Sequence, residues 1–184
     1  MRTDQLKKDF VIHVQWTAFP LHPDTPEGGL TLQQLFAGRS VDIDRMMDRL
    51  KQVACQLGLP LGERDKTYNS RLAQELAKWA ESKGKGGEFH EAIFHAYFVD
   101  GKNIGKINEL VLLAKSIGLS EKEARQILEL RAFKDAVDSD WSRCYTLGIT
   151  SVPTFVMGNQ AVAGFQPYDV LEQFLKANEV KRRA

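Results

Sequence analysis

The sequence predicts an α/β protein in which a strand near the N-terminus and a strand–strand–helix close near the C-terminus bracket a large all-helical insertion. Three observations carry that class. Phe10-Val11-Ile12-His13-Val14-Gln15-Trp16 alternates apolar and less apolar side chains, the period of a half-buried strand. The stretch from Leu30 to Leu147 repeats apolar residues at helical spacing in several blocks separated by turn signals. Gly148-Ile149-Thr150-Ser151-Val152-Pro153-Thr154-Phe155-Val156-Met157 then runs through a proline directly into an apolar strand.

Taken in order, a charged helical start leads to the strand at Val11–Trp16, and Phe19-Pro20-Leu21-His22-Pro23 must be irregular because its two prolines remove donors and fix φ. Asp24 to Gly29 is a turn cluster, and Leu30 to Phe36 suits a short helix. From Asp42 to Leu57, the residues Ile43, Met46, Met47, Leu50, Val53, Ala54 and Leu57 share one helical face, so the methionine pair reads as core packing. Asn69 can cap a helix from Ser70 towards Ser82 with Leu72, Leu76, Ala77 and Trp79 inward, and the glycines from Gly84 to Gly87 break it. Glu88–Val99 and Ile107–Ile117 are helical. Ser120-Glu121-Lys122-Glu123 matches a capping box ahead of Ala124, Ile127 and Leu128, and a last helix spans about residues 134–147. Pro153 pushes Val152 out of helical space, so a strand begins beside it. Asn159-Gln160 signals a turn before Ala161-Val162-Ala163, and Gln166-Pro167-Tyr168-Asp169 starts a helix with proline at its first position.

At 184 residues and 43% hydrophobic, the chain can bury one good core, and a net charge of +1 gives no electrostatic case for nucleic acid or an anionic membrane. No segment approaches the roughly 18 apolar residues of a membrane span, and the first residues lack a signal peptide's apolar run, so the expected location is the cytoplasm. His13, His22, His90 and His95 do not share metal-ligand spacing, and no phosphate-cradling or dinucleotide motif is present; neither metal nor cofactor is expected. Trp16, Trp79 and Trp141 fall where large core side chains belong.

The order helix, proline loop, hairpin, helix with G-x-x-x-V-P-T-F resembles the C-terminal half of a thioredoxin-like fold, and most closely its DsbA-type branch around the FrnE-type proteins and 2-hydroxychromene-2-carboxylate isomerases. Further segments extend the resemblance. Phe19-Pro20-Leu21-His22-Pro23 matches an F-x-L-x-P pattern. Asn69-Ser70-Arg71-Leu72-Ala73-Gln74 is similar to N-T-x-x-A-H with Ser for Thr and Gln for His, Ala96 to Ile104 follows A-Y-F-x-x-G-x-x-I, and Gly164-Phe165-Gln166-Pro167 follows G-x-Q-P. The resemblance implies a thioredoxin-like part at residues 1–29 and 134–184, a helical insertion domain at 30–133, and a cis bond before Pro153, the isomer of about one X-Pro bond in twenty.

Such proteins open with a strand and a C-x-x-C at the start of the first helix; this chain begins in what resembles the end of that helix, so the first strand and the catalytic motif are missing from it. Cys55 and Cys144 stand 89 positions apart and both fall within predicted helices, where the bland reading is two buried thiols. The missing strand would lie between Val11–Trp16 and Thr154–Met157, and an unfilled gap leaves a strand edge that a homodimer would complete. The resemblance implies a thiol–disulfide oxidoreductase acting on an extended peptide or a disulfide-containing protein. Ser151, Val152, Pro153 and Thr154 form its substrate-binding loop, Phe19 and Leu21 line its groove, and no residue here is assigned catalysis. Two alternatives stand beside it: a non-catalytic peptide- or protein-binding thioredoxin-like protein, and a glutathione-dependent transferase or isomerase relative.

Overall fold

The computed structural model describes residues 2–183. Its helices are α1 (Arg2–Asp9), α2 (Leu32–Leu35), α3 (Ile43–Gln56), α4 (Arg71–Ser82), α5 (Gly86–Phe98), α6 (Ile107–Ser116), α7 (Glu121–Glu129), α8 (Lys134–Thr146) and α9 (Tyr168–Ala177). Its strands are β1 (Leu30–Thr31), β2 (Lys66–Thr67), β3 (Thr154–Met157) and β4 (Gln160–Ala163), paired as two separate antiparallel ribbons, β1 with β2 and β3 with β4. The chain divides into two compact units: His22–Ser139, and Met1–Leu21 with Asp140–Ala184.

The first of these units is almost wholly helical. The apolar stripes of α4, α5, α6 and α7 converge, and Leu76, Phe89, Leu110, Ala114 and Ala124 are completely buried. Each large side chain so enclosed contributes roughly 1.5–3 kcal/mol from removal of apolar surface. One carboxylate lies in this interior. Glu75 is 1% exposed, accepts from Arg71 Nε at 2.7 Å, and takes a two-pronged bond from Arg131, whose Nε and Nη2 lie 2.8 and 2.6 Å from its two oxygens. Burial raises the Glu75 carboxyl, but the hydrogen bonds and charges of Arg131 and Arg71 outweigh it and hold the group below the usual carboxylate value. Arg71 also donates to the Lys134 carbonyl and pairs with Asp138, tying the start of α8 to α4.

Two asparagines hold a loop of the same unit. Asn69 Nδ2 donates to the carbonyls of Pro23 and Thr25 at 2.8 and 2.9 Å while its Oδ1 accepts from the Arg71 amide, and Asn103 does the same for the Glu27 carbonyl and the Gly105 amide. Asn69 therefore caps α4, as its place in the sequence suggests, although Ser70 occupies the N-cap position itself. The reciprocal capping box sits at Thr31 and Gln34 on α2. At Ser120 the side chain accepts from the Glu123 amide, so half of the predicted box forms.

The second unit has a smaller interior. Leu6 and Phe10 of the α1 region meet Leu171 and Leu175 of α9, with Phe155 and Met157 of β3 packed against them. Tyr168 donates its hydroxyl to the Asp9 carboxylate, which joins the two helices, and Phe10 forms an isolated antiparallel bridge with Arg182. The β3–β4 turn places Gly158 at its first central position with φ 56°, the left-handed backbone that a two-residue hairpin of this kind requires.

Five readings of the sequence are corrected. Residues 11–20 take no regular structure where a strand was expected at Val11–Trp16. A strand needs a ladder, and among the described residues the chain offers this segment one bridge, at its very start. Cys55 is exposed on α3, not buried, because Ala54 takes the inward position beside it. Met46 and Met47 are half-buried and belong to neither core. Trp16 is 36% exposed, since the segment carrying it has no sheet to pack on. In addition, Pro167 is the N-cap of α9 and not its first helical residue.

Candidate functional site

The loop from Gly148 to Thr154 connects α8 to β3, and local bonds fix its shape. The Thr154 hydroxyl donates to the Ser151 carbonyl at 2.7 Å, and the Gly164 amide donates to the Pro153 carbonyl at 2.7 Å, locking the exit of the loop to the end of β4. The Val152–Pro153 peptide is cis. Ser151, Val152 and Pro153 are exposed and Thr154 is half-buried. Among the described residues no hydrogen bond engages the amide or the carbonyl of Val152, whose side chain is 46% exposed. An unengaged main-chain donor and acceptor on one exposed residue are groups that a strand-like ligand can pair with.

Phe19 and Leu21 lie in the same unit, in a turn of their own in which the Leu21 amide donates to the Phe19 carbonyl at 3.0 Å. Phe19 is half-buried and Leu21 half-exposed. Close by in the chain, the Ala18 amide donates to Asp140 at 2.7 Å and the Cys144 thiol donates to the Ala18 carbonyl at 3.6 Å. Burial, and then the Asp140 carboxylate, push the Cys144 thiol up. A neutral buried thiol is a poor nucleophile. Cys55 sits in the last turn of α3, distant in sequence from the proline loop and in the other unit.

A concavity that the sequence does not announce lies in the helical unit. Asn69, Arg71, Lys106, Asn108, Arg125 and Arg131 contribute to a groove of about 890 Å³, with Glu27 and Glu109 on its margin. Its signal was scattered over four segments, so no local motif marks it. Arg71 and Arg131 are engaged by buried Glu75, and the Arg125 Nη2 donates to Asn108 at 2.9 Å. Those bonds make this wall a scaffold more than a set of free cations. Among the described residues no three His, Cys, Asp or Glu side chains gather as a metal site needs.

A proline loop feeding a β-hairpin and a closing helix, with a helical unit inserted upstream, defines a thioredoxin-like protein of the DsbA type. The chain belongs to the DSBA-like thioredoxin domain family, whose model matches residues 1–176. It is 27% identical over 184 residues to the uncharacterized protein YwbO of Bacillus subtilis (strain 168), covering 93% of this chain and 84% of that one. It is also similar to the crystal structure of the probable DsbA oxidoreductase SCO1869 from Streptomyces coelicolor, with a TM-score of 0.78 and 27% identity over 85% of this chain and 71% of that one. A 2-hydroxychromene-2-carboxylate isomerase shares the fold, with a TM-score of 0.72 at 18% identity, covering 97% of this chain and 85% of the isomerase. No helix among the described residues is long and apolar enough to cross a membrane.

Proposed function

We propose that this chain serves thiol–disulfide exchange as a DsbA-type oxidoreductase, by holding an extended, disulfide-containing peptide against Ser151, Val152, Pro153 and Thr154. The observation that carries the reading is the unengaged main chain of Val152, presented by a loop whose own bonds are already made, in a chain of this family. A substrate strand would donate to the Val152 carbonyl and accept from its amide, and apolar substrate side chains would rest on Val152, Phe19 and Leu21. Exchange then needs a thiolate that attacks one substrate sulfur, forms a mixed disulfide and expels the other sulfur as thiolate. The 184 residues contain no C-x-x-C, and neither Cys55 nor Cys144 is given that role.

One observation favours a second reading, a non-catalytic peptide-binding protein: the thiol nearest the loop in sequence, Cys144, is buried and held neutral. A single pair of measurements separates the two. The protein is titrated with an unstructured cystine-containing peptide while its backbone amides are followed by NMR, and peptide disulfide reduction is assayed in parallel with a dithiol donor. Shifts confined to Ser151–Thr154 together with turnover support the oxidoreductase. The same shifts without turnover support the binder, and an undisturbed Val152 amide at saturating peptide overturns both.

A further inference from the structure

Both main-chain groups of Ala18 are held by side chains of α8. Its amide donates to Asp140 Oδ2 at 2.7 Å, and its carbonyl accepts from the Cys144 thiol at 3.6 Å. Asp140 and Cys144 stand one turn apart along α8, so their side chains share a face of the helix. Ala18 itself lies in irregular chain, where a residue takes its place from bonds of this kind. The next residue is Phe19, and the turn closed by the Leu21 amide on the Phe19 carbonyl carries Leu21.

The same helix sets the start of the proline loop. α8 ends with the Gly148 amide on the Tyr145 carbonyl and the Ile149 amide on the Cys144 carbonyl, both at 3.0 Å, and Gly148 is left-handed with φ 65°. That double closure is a glycine stop, which turns the chain out of the helix in one fixed direction. Cys144 therefore acts on two segments. Its carbonyl bonds the chain that leaves for Ser151–Thr154, and its thiol bonds the chain that carries Phe19 and Leu21. A buried thiol pushed up by its surroundings stays protonated, so it can donate this bond and takes no part in exchange.

We infer that Asp140 and Cys144 are positioning residues of the peptide site: through Ala18 they fix the apolar wall of Phe19 and Leu21 relative to the proline loop that α8 feeds. This rests on the proposed function and gives it a specificity. Leu21 is 50% exposed, so large apolar side chains beside a substrate cystine gain a contact that glycine does not. Neither Asp140 nor Cys144 touches the peptide. Both act by holding Ala18, and a wall that is not held loses the preference before it loses the loop.

The test compares two cystine peptides, one with leucine and one with glycine on either side of each half-cystine, each titrated against the Val152 amide signal. The unaltered chain should bind the leucine peptide about tenfold more tightly. Asp140→Ala should bring that ratio to within about twofold, and Asp140→Asn, which keeps an oxygen for the Ala18 amide, should restore it. Cys144→Ala and Cys144→Ser should repeat the pattern, the first losing the donor to Ala18 and the second keeping one. A general loss of stability would weaken both peptides together and leave the ratio in place. If Asp140→Ala misfolds, amide exchange in the unaltered chain decides, because an Ala18 amide that exchanges like free backbone overturns the inference. So does a ratio that Asp140→Ala leaves intact, or equal affinity of the unaltered chain for the two peptides. A Val152 amide undisturbed by either peptide overturns the peptide reading itself.

Discussion

Among the described residues, the core cluster of the helical unit holds fourteen buried apolar residues, while that of the unit formed by the two chain ends holds four. The helices of the first complete their own hydrogen bonds within each segment and need a partner solely for their apolar stripes, which α4, α5, α6 and α7 supply for one another. Strands cannot do this. Among the described residues of the second unit, the segment at 11–20 has strand-like alternation and no ladder, and β3 has a ladder on one side. Local structure that is self-sufficient survives the lack of a neighbour, and structure that depends on pairing does not.

The largest test of this contrast is Phe89→Ala. Phe89 is completely buried, and its loss should cost about 3–5 kcal/mol, read as a shift of the denaturation midpoint. Glu75→Ala should cost a similar amount, about 3–5 kcal/mol, because Arg71 and Arg131 would be left facing a buried hole. The pH dependence has a fixed sign. The folded Glu75 carboxyl lies below its ordinary value, so its contribution is complete above the unfolded value of about 4.3 and fades as pH falls through the folded one. Glu75→Gln should therefore flatten the acid limb of stability, and a variant whose acid limb matches the parent's would show that other carboxylates carry it.

Hydrogen exchange sharpens the comparison without any substitution. Amides of α4, α5 and α6 should exchange only through global unfolding, whereas β3 and β4 should open first, by a smaller sub-global event. Equal protection of the two sets would erase the distinction drawn here. The thiols report on it as well. An aromatic disulfide reagent should titrate Cys55 at once in the folded protein and reach Cys144 when the chain unfolds. The smallest effect is expected at α3, where Asp42→Ala removes the side-chain bond to the Arg45 amide and should cost about 1 kcal/mol.

Much of this was legible in advance, for identifiable reasons. The helices at residues 107–116, 121–129 and 134–146 fall where their apolar spacing and the Ser120 cap put them, because helical signals are local. The hairpin was equally readable from Pro153 and the turn signal at Asn159-Gln160, although the turn itself is Gly158-Asn159 and Gln160 already belongs to β4. Val11–Trp16 misled because alternation reports what a strand would bury and says nothing about whether a neighbour exists. Cys55 and the Met46–Met47 pair misled because a helix's apolar face does not reveal how completely its unit covers it. Of the site, the position of the proline loop could be read, but the free main chain of Val152 could not, since it follows from bonds made by Thr154 and Gly164. The groove around Arg71 and Arg131 was hidden for a related reason, as their shared partner Glu75 lies 56 residues from one of them.

The asparagine clamps set a limit on the chemical lifetime of this fold. Asn69 and Asn103 each act through an amide nitrogen aimed at main-chain carbonyls. Spontaneous deamidation would change each side chain by a single mass unit and turn those donors into acceptors facing acceptors. A stored sample would then lose its grip on residues 23–27 by ageing alone, with the sequence of every other residue intact.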